Sequence, residues 1–417
     1  MTTPGRPDDG GQGRARRGGV GLPELGWSTP ATMRRVIDTR AALAEFIRQI
    51  DELDDCDDLE KTRVALTGCG DSTLVAELTA ALHRFLDEKN FYGRDLIAGV
   101  LAGIDGLEAL PVLLRASARD LGDDQDSLSA EIVDLLHGNR AAARPAVLAL
   151  AVDPDSTLRR TGLWALGFVS EPQDTDLLLA AAADSDPRIR AMAYGALPTA
   201  DDRAFQALLA GLRDIDPDVR VTAVSQLGYT RRYDAVPHLI ALADDLTDRV
   251  RRWVVFALGR IGSPDAAPVL LRLRADPLVR EDATAALGAV GGPAALAVLR
   301  TLATDPDPRV RIDAATALPQ AGVGDPEVRL LLVALAADPV PEVRAALVSG
   351  LAAVDVPGSS DELVLALAED PEFDVRSRIV VNVRLLAPAL APSILRRYLD
   401  DPDLRPIAER QLKRLES

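Results

Sequence analysis

An aliphatic residue followed by arginine recurs nine times in the last two thirds of this 417-residue chain. The spacings between successive arginines run from 29 to 33 residues, and each arginine follows an acidic turn that usually contains proline. A fixed period of about 31 residues indicates a repeat architecture and excludes most globular folds. The nine arginines are Arg159, Arg190, Arg220, Arg251, Arg280, Arg311, Arg344, Arg376 and Arg405.

Each repeat is predicted to be a pair of helices. The turn aspartate can cap a helix by accepting a free backbone N–H, and the proline after it suits a first helical turn. With the arginine as position 0, positions −1, +3, +4 and +7 are mostly apolar and fall on one helical face. A second short apolar stretch precedes each turn, as in residues 145–152 and 264–273. Such a pair cannot bury its apolar face alone, so the repeats must stack into a solenoid.

These repeats resemble HEAT repeats, in particular the short HEAT-like repeats of the phycobilisome-lyase type. The resemblance rests on the Asp-Pro turn before the aliphatic–Arg pair, the period, and Ala-Leu-Gly tripeptides at residues 165–167, 257–259 and 286–288. It covers residues 140–417 and implies an all-α, right-handed solenoid of HEAT-like or armadillo type with about nine helix pairs. It also implies that turn aspartates and helix arginines form a ladder between successive repeats, which gives the nine arginines a structural role.

The N-terminal third is predicted to differ from the repeats. Residues 1–28 are predicted to be a disordered arm, because the first thirty residues contain eight glycines and four prolines. Helical structure is expected to begin at residues 28–30, where a capping residue precedes a proline. Residues 29–139 are expected to form a helical N-terminal cap with degenerate repeats, rather than a separate catalytic domain.

Composition restricts the partners and the environment. The net charge of −17 argues against nucleic acid, whose phosphates require a basic surface. No uninterrupted apolar run approaches the roughly 18 residues of a membrane helix. Two cysteines make no disulfide framework, and the first thirty residues lack the apolar core of a secretory signal. We therefore expect a cytoplasmic, monomeric protein; its bias towards Arg, Ala, Leu, Asp and Pro is typical of a bacterial, high-GC genome.

No catalytic or metal-binding motif is found, so no cofactor is expected. The histidines, His83, His137 and His238, are not followed by glutamate, unlike the iron-binding His-Glu pairs of deoxyhypusine hydroxylase, a HEAT-like enzyme. The acidic segment 120–131 has Gly122 and Gln125 where a calcium-binding loop needs a ligand and a glycine. Residues 68–73 lack the lysine of a phosphate-binding loop, and Cys56 and Cys69 have no neighbouring histidine.

One pattern points to a binding surface. Positions +2, +5 and +9 point away from the apolar face, and in early repeats they hold large side chains: Trp164, Phe168, Met192, Tyr229, Trp253 and Phe256. Two arginines, Arg160 and Arg252, lie beside them at position +1. The link after Tyr229 adds Arg231, Arg232 and Tyr233. Aromatic and arginine side chains dominate interface hot spots. We therefore predict a partner site on the concave face near residues 160–260. Alternatively, the rings pack between neighbouring helices and enlarge the core.

The leading functional hypothesis is a non-enzymatic protein–protein interaction scaffold that binds a protein or peptide on its concave face. The resemblance to lyase-type repeats leaves open an accessory enzyme that handles a tetrapyrrole on a protein. A third alternative is an armadillo-like regulator that partners recognise through the arm at residues 1–28.

Overall fold

The computed structural model describes residues 38–52, 56–354 and 360–416, and over these residues the chain is helical, without strands. The predicted all-α solenoid is thereby confirmed. The predicted arm at residues 1–28 and the predicted helix start at residues 28–30 lie outside the described residues.

The α-helices are α1 (Thr39–Glu52), α2 (Cys56–Cys69), α3 (Val75–Asp87), α4 (Phe91–Asp105), α5 (Leu110–Ser117), α6 (Asp126–Gly138), α7 (Arg140–Ala151), α8 (Ser156–Val169), α9 (Thr175–Ala181), α10 (Pro187–Ala196), α11 (Asp202–Gly211), α12 (Pro217–Thr230), α13 (Val236–Ala241), α14 (Asp248–Ile261), α15 (Ala267–Leu273), α16 (Arg280–Val290), α17 (Gly292–Ala303), α18 (Pro308–Ala317), α19 (Pro326–Ala336), α20 (Pro341–Ala352), α21 (Asp361–Leu367), α22 (Phe373–Leu386), α23 (Ala391–Arg397) and α24 (Arg405–Glu416).

The helices form two layers. The nine helices that carry the repeated arginines are the even-numbered ones from α8 to α24, and each packs against the next. The odd-numbered helices from α7 to α23 form the second layer and touch one another less. The layers enclose a continuous core of leucine, valine, isoleucine and alanine. The same packing continues upstream, because α4 contacts α6 and α6 contacts α8.

At some junctions, glycine at position +8 allows close packing within the arginine-bearing layer. A Cβ added to Gly288 would lie 2.2 Å from the carbonyl oxygen of Ala317 in the next repeat. A Cβ on Gly228 would lie 3.0 Å from the Cα of Ala257. Successive helices pack more closely in this layer than in the other. Closer packing on one side makes a stack of repeats curve towards that side, so we infer that the outward-facing positions of this layer form the concave surface.

Consecutive repeats are joined by the ladder that the resemblance implies. Seven of the nine arginines pair with an aspartate in the turn of the following repeat, at 2.6 to 3.5 Å. These arginines also donate to the carbonyl oxygen six residues before them, as Arg220 does to Asp214. The pairs are Arg159–Asp184, Arg190–Asp214, Arg220–Asp245, Arg251–Asp276, Arg311–Asp338, Arg344–Asp370 and Arg376–Asp401.

The two aspartates of a turn have different roles. In the turn before α12, Asp214 accepts hydrogen bonds from Arg190, whereas Asp216 accepts from the backbone amides of Asp218 and Val219 and caps the helix. The hydrogen bond from Arg190 holds the pKa of Asp214 below its ordinary value. Asp214 therefore binds Arg190 as an ionised carboxylate.

One segment among the described residues, Phe91–Ser117, is long and apolar enough to cross a membrane. In the structure it comprises α4, a 3₁₀ turn at Gly106–Ala109, and α5. Half of its most apolar stretch is buried inside the protein, and α4 packs against α2, α3 and α6. A core helix has the same composition, so this segment is weak evidence for a membrane span.

Candidate protein-binding groove

The large side chains predicted on the concave face form two separate clusters. In the upstream cluster the rings of Trp164 and Phe168 meet edge to face, with centroids 5.3 Å apart. His137 at the end of α6 approaches Phe168 at 5.8 Å. Trp164 and Phe168 are half-buried and pack partly against the core, whereas His137 is exposed. Arg160, Trp164 and Met192 also line a cavity of about 330 Å³ together with the acidic loop at residues 120–125.

The downstream cluster is more open. Trp253 meets Phe256 edge to face at 5.2 Å, and Phe256 in turn meets Tyr229 at 6.4 Å. Tyr229 remains 49% exposed and Phe256 39% exposed, whereas Trp253 packs partly against the core. The alternative of a thickened core thus describes Trp164, Phe168, Met192 and Trp253 in part, but not Tyr229 and Phe256.

Two of these rings, Trp253 and Phe256, border an open groove of about 760 Å³ between α14 and α16. The α14 wall carries the rings, and the α16 wall is small and apolar because Ala285, Ala286 and Ala289 face the groove. Gln320 closes the end beyond α18. The cavity therefore lies between two consecutive helices of the arginine-bearing layer.

Three guanidinium groups, those of Arg249, Arg252 and Arg260, line the groove. Arg249 forms an ion pair with Asp218, and the Nε atom of Arg252 is 3.9 Å from Asp282. Arg260 lies over the ring of Tyr229, 4.5 Å from its centroid, and 5.7 Å from that of Phe256. Its Nε atom is buried and has no hydrogen-bond acceptor.

The sequence did not single out Arg260, although a signal was available. Arg260 is at position +9 of its repeat, the position that Phe168 and Tyr229 occupy in theirs. A comparison of equivalent positions that included charged side chains would have placed Arg260 beside Tyr229. Arg249, Asp282 and Gln320 were also missed, since only the assembled stack brings them to the groove.

The predicted site residues in the link after α12, Arg231, Arg232 and Tyr233, do not line this groove. Arg231 ends the helix with a positive φ of 52° and is exposed, as is Tyr233. Arg232 stacks on Phe205, 3.8 Å from the ring centroid, and pairs with Asp202. Together with His238 it lines a different cavity of about 410 Å³.

Among the described residues no group of three potential metal ligands is found. In the acidic loop, Asp123 forms a two-bond pair with the buried Arg94. Hydrogen bonds from Arg94 hold the pKa of Asp123 below its usual range. This carboxylate therefore stabilises the junction between α4 and the loop.

Comparison with known proteins identifies the repeats. The family model described as HEAT repeats matches residues 119–198, 205–288, 272–352 and 298–384, which together make up more than half of the chain. No curated protein matches the sequence.

Several solved structures are similar in fold. YibA of Escherichia coli is 18% identical, with 60% of this chain and 94% of YibA covered, at a TM-score of 0.37. The CpcE–CpcF complex of phycocyanin lyase from a Nostoc species is 22% identical. The alignment covers 59% of this chain and 96% of the lyase chain, at a TM-score of 0.36. Kap95p, solved with RanGDP, is 15% identical. The alignment covers 88% of this chain and 60% of Kap95p, at a TM-score of 0.46. At these identities the similarity concerns the fold alone.

Proposed function

Because the chain belongs to the HEAT-repeat family, we propose that it is a non-enzymatic interaction scaffold that binds a protein or peptide segment in the groove between α14 and α16. The observation that carries this proposal is the groove itself, whose α14 wall presents the half-buried Trp253 and the exposed Phe256. A repeat solenoid offers an extended inner surface that suits an elongated partner.

The arrangement of the rings supports binding rather than structure alone. Trp253 and Phe256 hold each other edge to face, and Arg260 covers Phe256 and Tyr229. A partner therefore meets rings that are already ordered, and association costs little additional side-chain entropy. Rings of this kind, partly exposed beside arginine, are the residues that dominate binding energy in protein interfaces.

Site-specific photocrosslinking in living cells of the native organism tests the proposal. Phe256 is replaced by photoreactive p-benzoylphenylalanine, and covalent adducts are identified by mass spectrometry after irradiation. We expect a light-dependent adduct with another polypeptide. The matched control places the same residue at Phe91, which is 52% exposed at the start of α4 and outside the groove lining. Equal adduct yields at the two positions would reject the groove as a partner site.

A further inference from the structure

We propose that the groove between α14 and α16 selects a peptide segment in which a carboxylate side chain adjoins an aliphatic or aromatic one. Arg260 is the anchor for the carboxylate, and Trp253 and Phe256 receive the apolar neighbour. This inference rests on the proposed function and adds the chemistry of the partner to it.

The first support is the state of Arg260. Its guanidinium lies against two rings, so much of it is shielded from water, and its buried Nε donates to no acceptor. The buried Nε itself is out of reach of a partner, but a carboxylate placed in the groove would accept from the other N–H groups of this guanidinium, which form no ion pair among the described residues. Guanidinium–carboxylate hydrogen bonds are among the stronger ones in proteins.

The second support is the local charge. Three arginines line the groove. Two carboxylates are nearby: Asp282 lies 3.9 Å from Arg252, and Asp218 pairs with Arg249. The groove thus has an excess of positive charge in a chain whose net charge is −17. An acidic segment is attracted to this place and repelled by most of the remaining surface.

A later cavity on the same concave layer shows that the charge is particular to this groove. That cavity, of about 500 Å³, is lined by Glu342, Glu372, Asp374 and a single arginine, Arg378. Arg378 donates a hydrogen bond to Ser349 and so already has a partner. Phe373 also lines this later cavity, so an aromatic ring alone does not distinguish the α14–α16 groove. The excess of arginine over carboxylate does.

The third support is the apolar wall. Ala285, Ala286 and Ala289 face the two rings across the groove, which leaves room for an aliphatic or aromatic side chain between them. Single-stranded nucleic acid also binds arginine and stacked rings. However, it carries a phosphate at every nucleotide, and Asp218, Asp282 and the acidic chain oppose such a dense negative charge. A peptide with one or two carboxylates fits this balance better.

The test is a selection from a random dodecapeptide library displayed on phage, with the full chain as bait. The enriched peptides are then labelled with fluorescein, and their affinities are measured by fluorescence anisotropy. The variants are Arg260→Met, which keeps the aliphatic stem over the rings, the double variant Trp253→Ala/Phe256→Ala, and the control Arg378→Met in the later cavity. Each peptide is paired with a copy in which Asp and Glu are changed to Asn and Gln, and oligodeoxythymidylate serves as the nucleic-acid probe.

We expect enriched peptides to combine Asp or Glu with a neighbouring Leu, Ile, Phe or Trp. Arg260→Met should weaken binding of the acidic peptide about tenfold or more and leave the amide copy unchanged, since the lost hydrogen bonds involve a charged group. The double ring variant should weaken both peptides, and Arg378→Met neither.

Two results would overturn the inference and leave the proposed function standing. One is enrichment of ring-dependent peptides without acidic residues; the other is equal binding of the acidic peptide by the wild type and Arg260→Met. Ring-dependent binding of oligodeoxythymidylate that is tighter than that of any selected peptide would overturn the inference in favour of nucleic acid. If no peptide is enriched over the double ring variant, the peptide-binding groove fails together with the inference.

Discussion

Replacing Arg344 by methionine is expected to destabilise the junction between α20 and α22 by about 3–5 kcal/mol. The Nε and Nη2 atoms of Arg344 donate to Asp370 at 2.6 and 2.8 Å, and Nη1 donates to the carbonyl of Asp338 at 2.7 Å. The two paired side chains are only 11% and 6% exposed. Methionine keeps the packing of the aliphatic stem, so the measured loss reports mainly the ionic contacts.

The magnitude follows from what remains at the junction. Without Arg344, the carboxylate of Asp370 keeps the hydrogen bond from the amide of Glu372 at 3.0 Å but lies buried without its cation. Removing one partner of a buried ion pair is costly for this reason. The double variant Arg344→Met/Asp370→Asn should recover part of the loss, because asparagine still accepts from that amide and no charge stays buried.

A more exposed pair of the same ladder provides the matched control. Arg376 is 3.5 Å from Asp401, and the two side chains are 22% and 25% exposed. Arg376→Met should cost about 1–2 kcal/mol, mostly from hydrogen bonds to carbonyl groups. Because a solenoid is stabilised by neighbour interfaces, the damage from each change should remain local.

Hydrogen exchange monitored by mass spectrometry is the appropriate assay, since long repeat arrays do not always unfold in two states. Arg344→Met should accelerate exchange in α20 to α22 and leave α8 to α10 unchanged. Equal acceleration by Arg344→Met and Arg376→Met would refute the argument from burial. Failure of the Asp370→Asn change to restore any protection would refute the argument from a stranded charge.

Further outcomes are expected from pH, the groove and chelation. Because the hydrogen bond from Arg190 lowers the pKa of Asp214 in the folded state, this pair stabilises the fold above the unfolded pKa of 3.8. Its contribution should disappear, and the melting temperature fall, as pH drops below about 4. Burial instead raises the pKa of Asp313, so Asp313→Asn should raise the melting temperature at pH 7 but not at pH 3. Truncating a fully buried aromatic residue to alanine lowers the free energy of unfolding by about 3–5 kcal/mol. The double variant Trp253→Ala/Phe256→Ala should lose far less than this per residue, as measured by chemical denaturation. EDTA should leave the melting temperature unchanged, since the described residues contain no cluster of metal ligands.

The resemblance to HEAT repeats implies the ladder but not the atoms that form it. The Asp-Pro pairs of two such turns are Asp186-Pro187 and Asp216-Pro217. The carboxylates that accept from arginine are instead Asp184 and Asp214, two residues earlier. Both aspartates of such a turn can cap a helix or bind a cation. Which one faces the preceding repeat depends on the path of the turn, and this path is fixed only when two repeats are stacked.

The contacts among the rings of the binding surface also depend on how repeats stack, so the sequence alone did not predict them. Helical periodicity correctly places Trp253 and Phe256 outside the fully buried core, because it depends on one helix alone. It cannot tell which outward-facing rings meet, since that requires the spacing of successive helices. In the structure Phe168 meets His137, whereas Tyr229 meets Phe256.

Arginine has two different roles in this solenoid, and its position in the repeat separates them. At position 0, as in Arg220, the guanidinium donates to the carboxylate of Asp245 in the next turn and to the carbonyl oxygen of Asp214 in the turn of its own repeat. At position +9, Arg260 stands on the concave face, and its buried Nε meets no acceptor. The acidic residues of the ladder are thus used at the turns, where they neutralise the position-0 arginines. A strongly negative chain can therefore present a groove with an excess of positive charge, and net charge alone is a poor guide to what that groove binds.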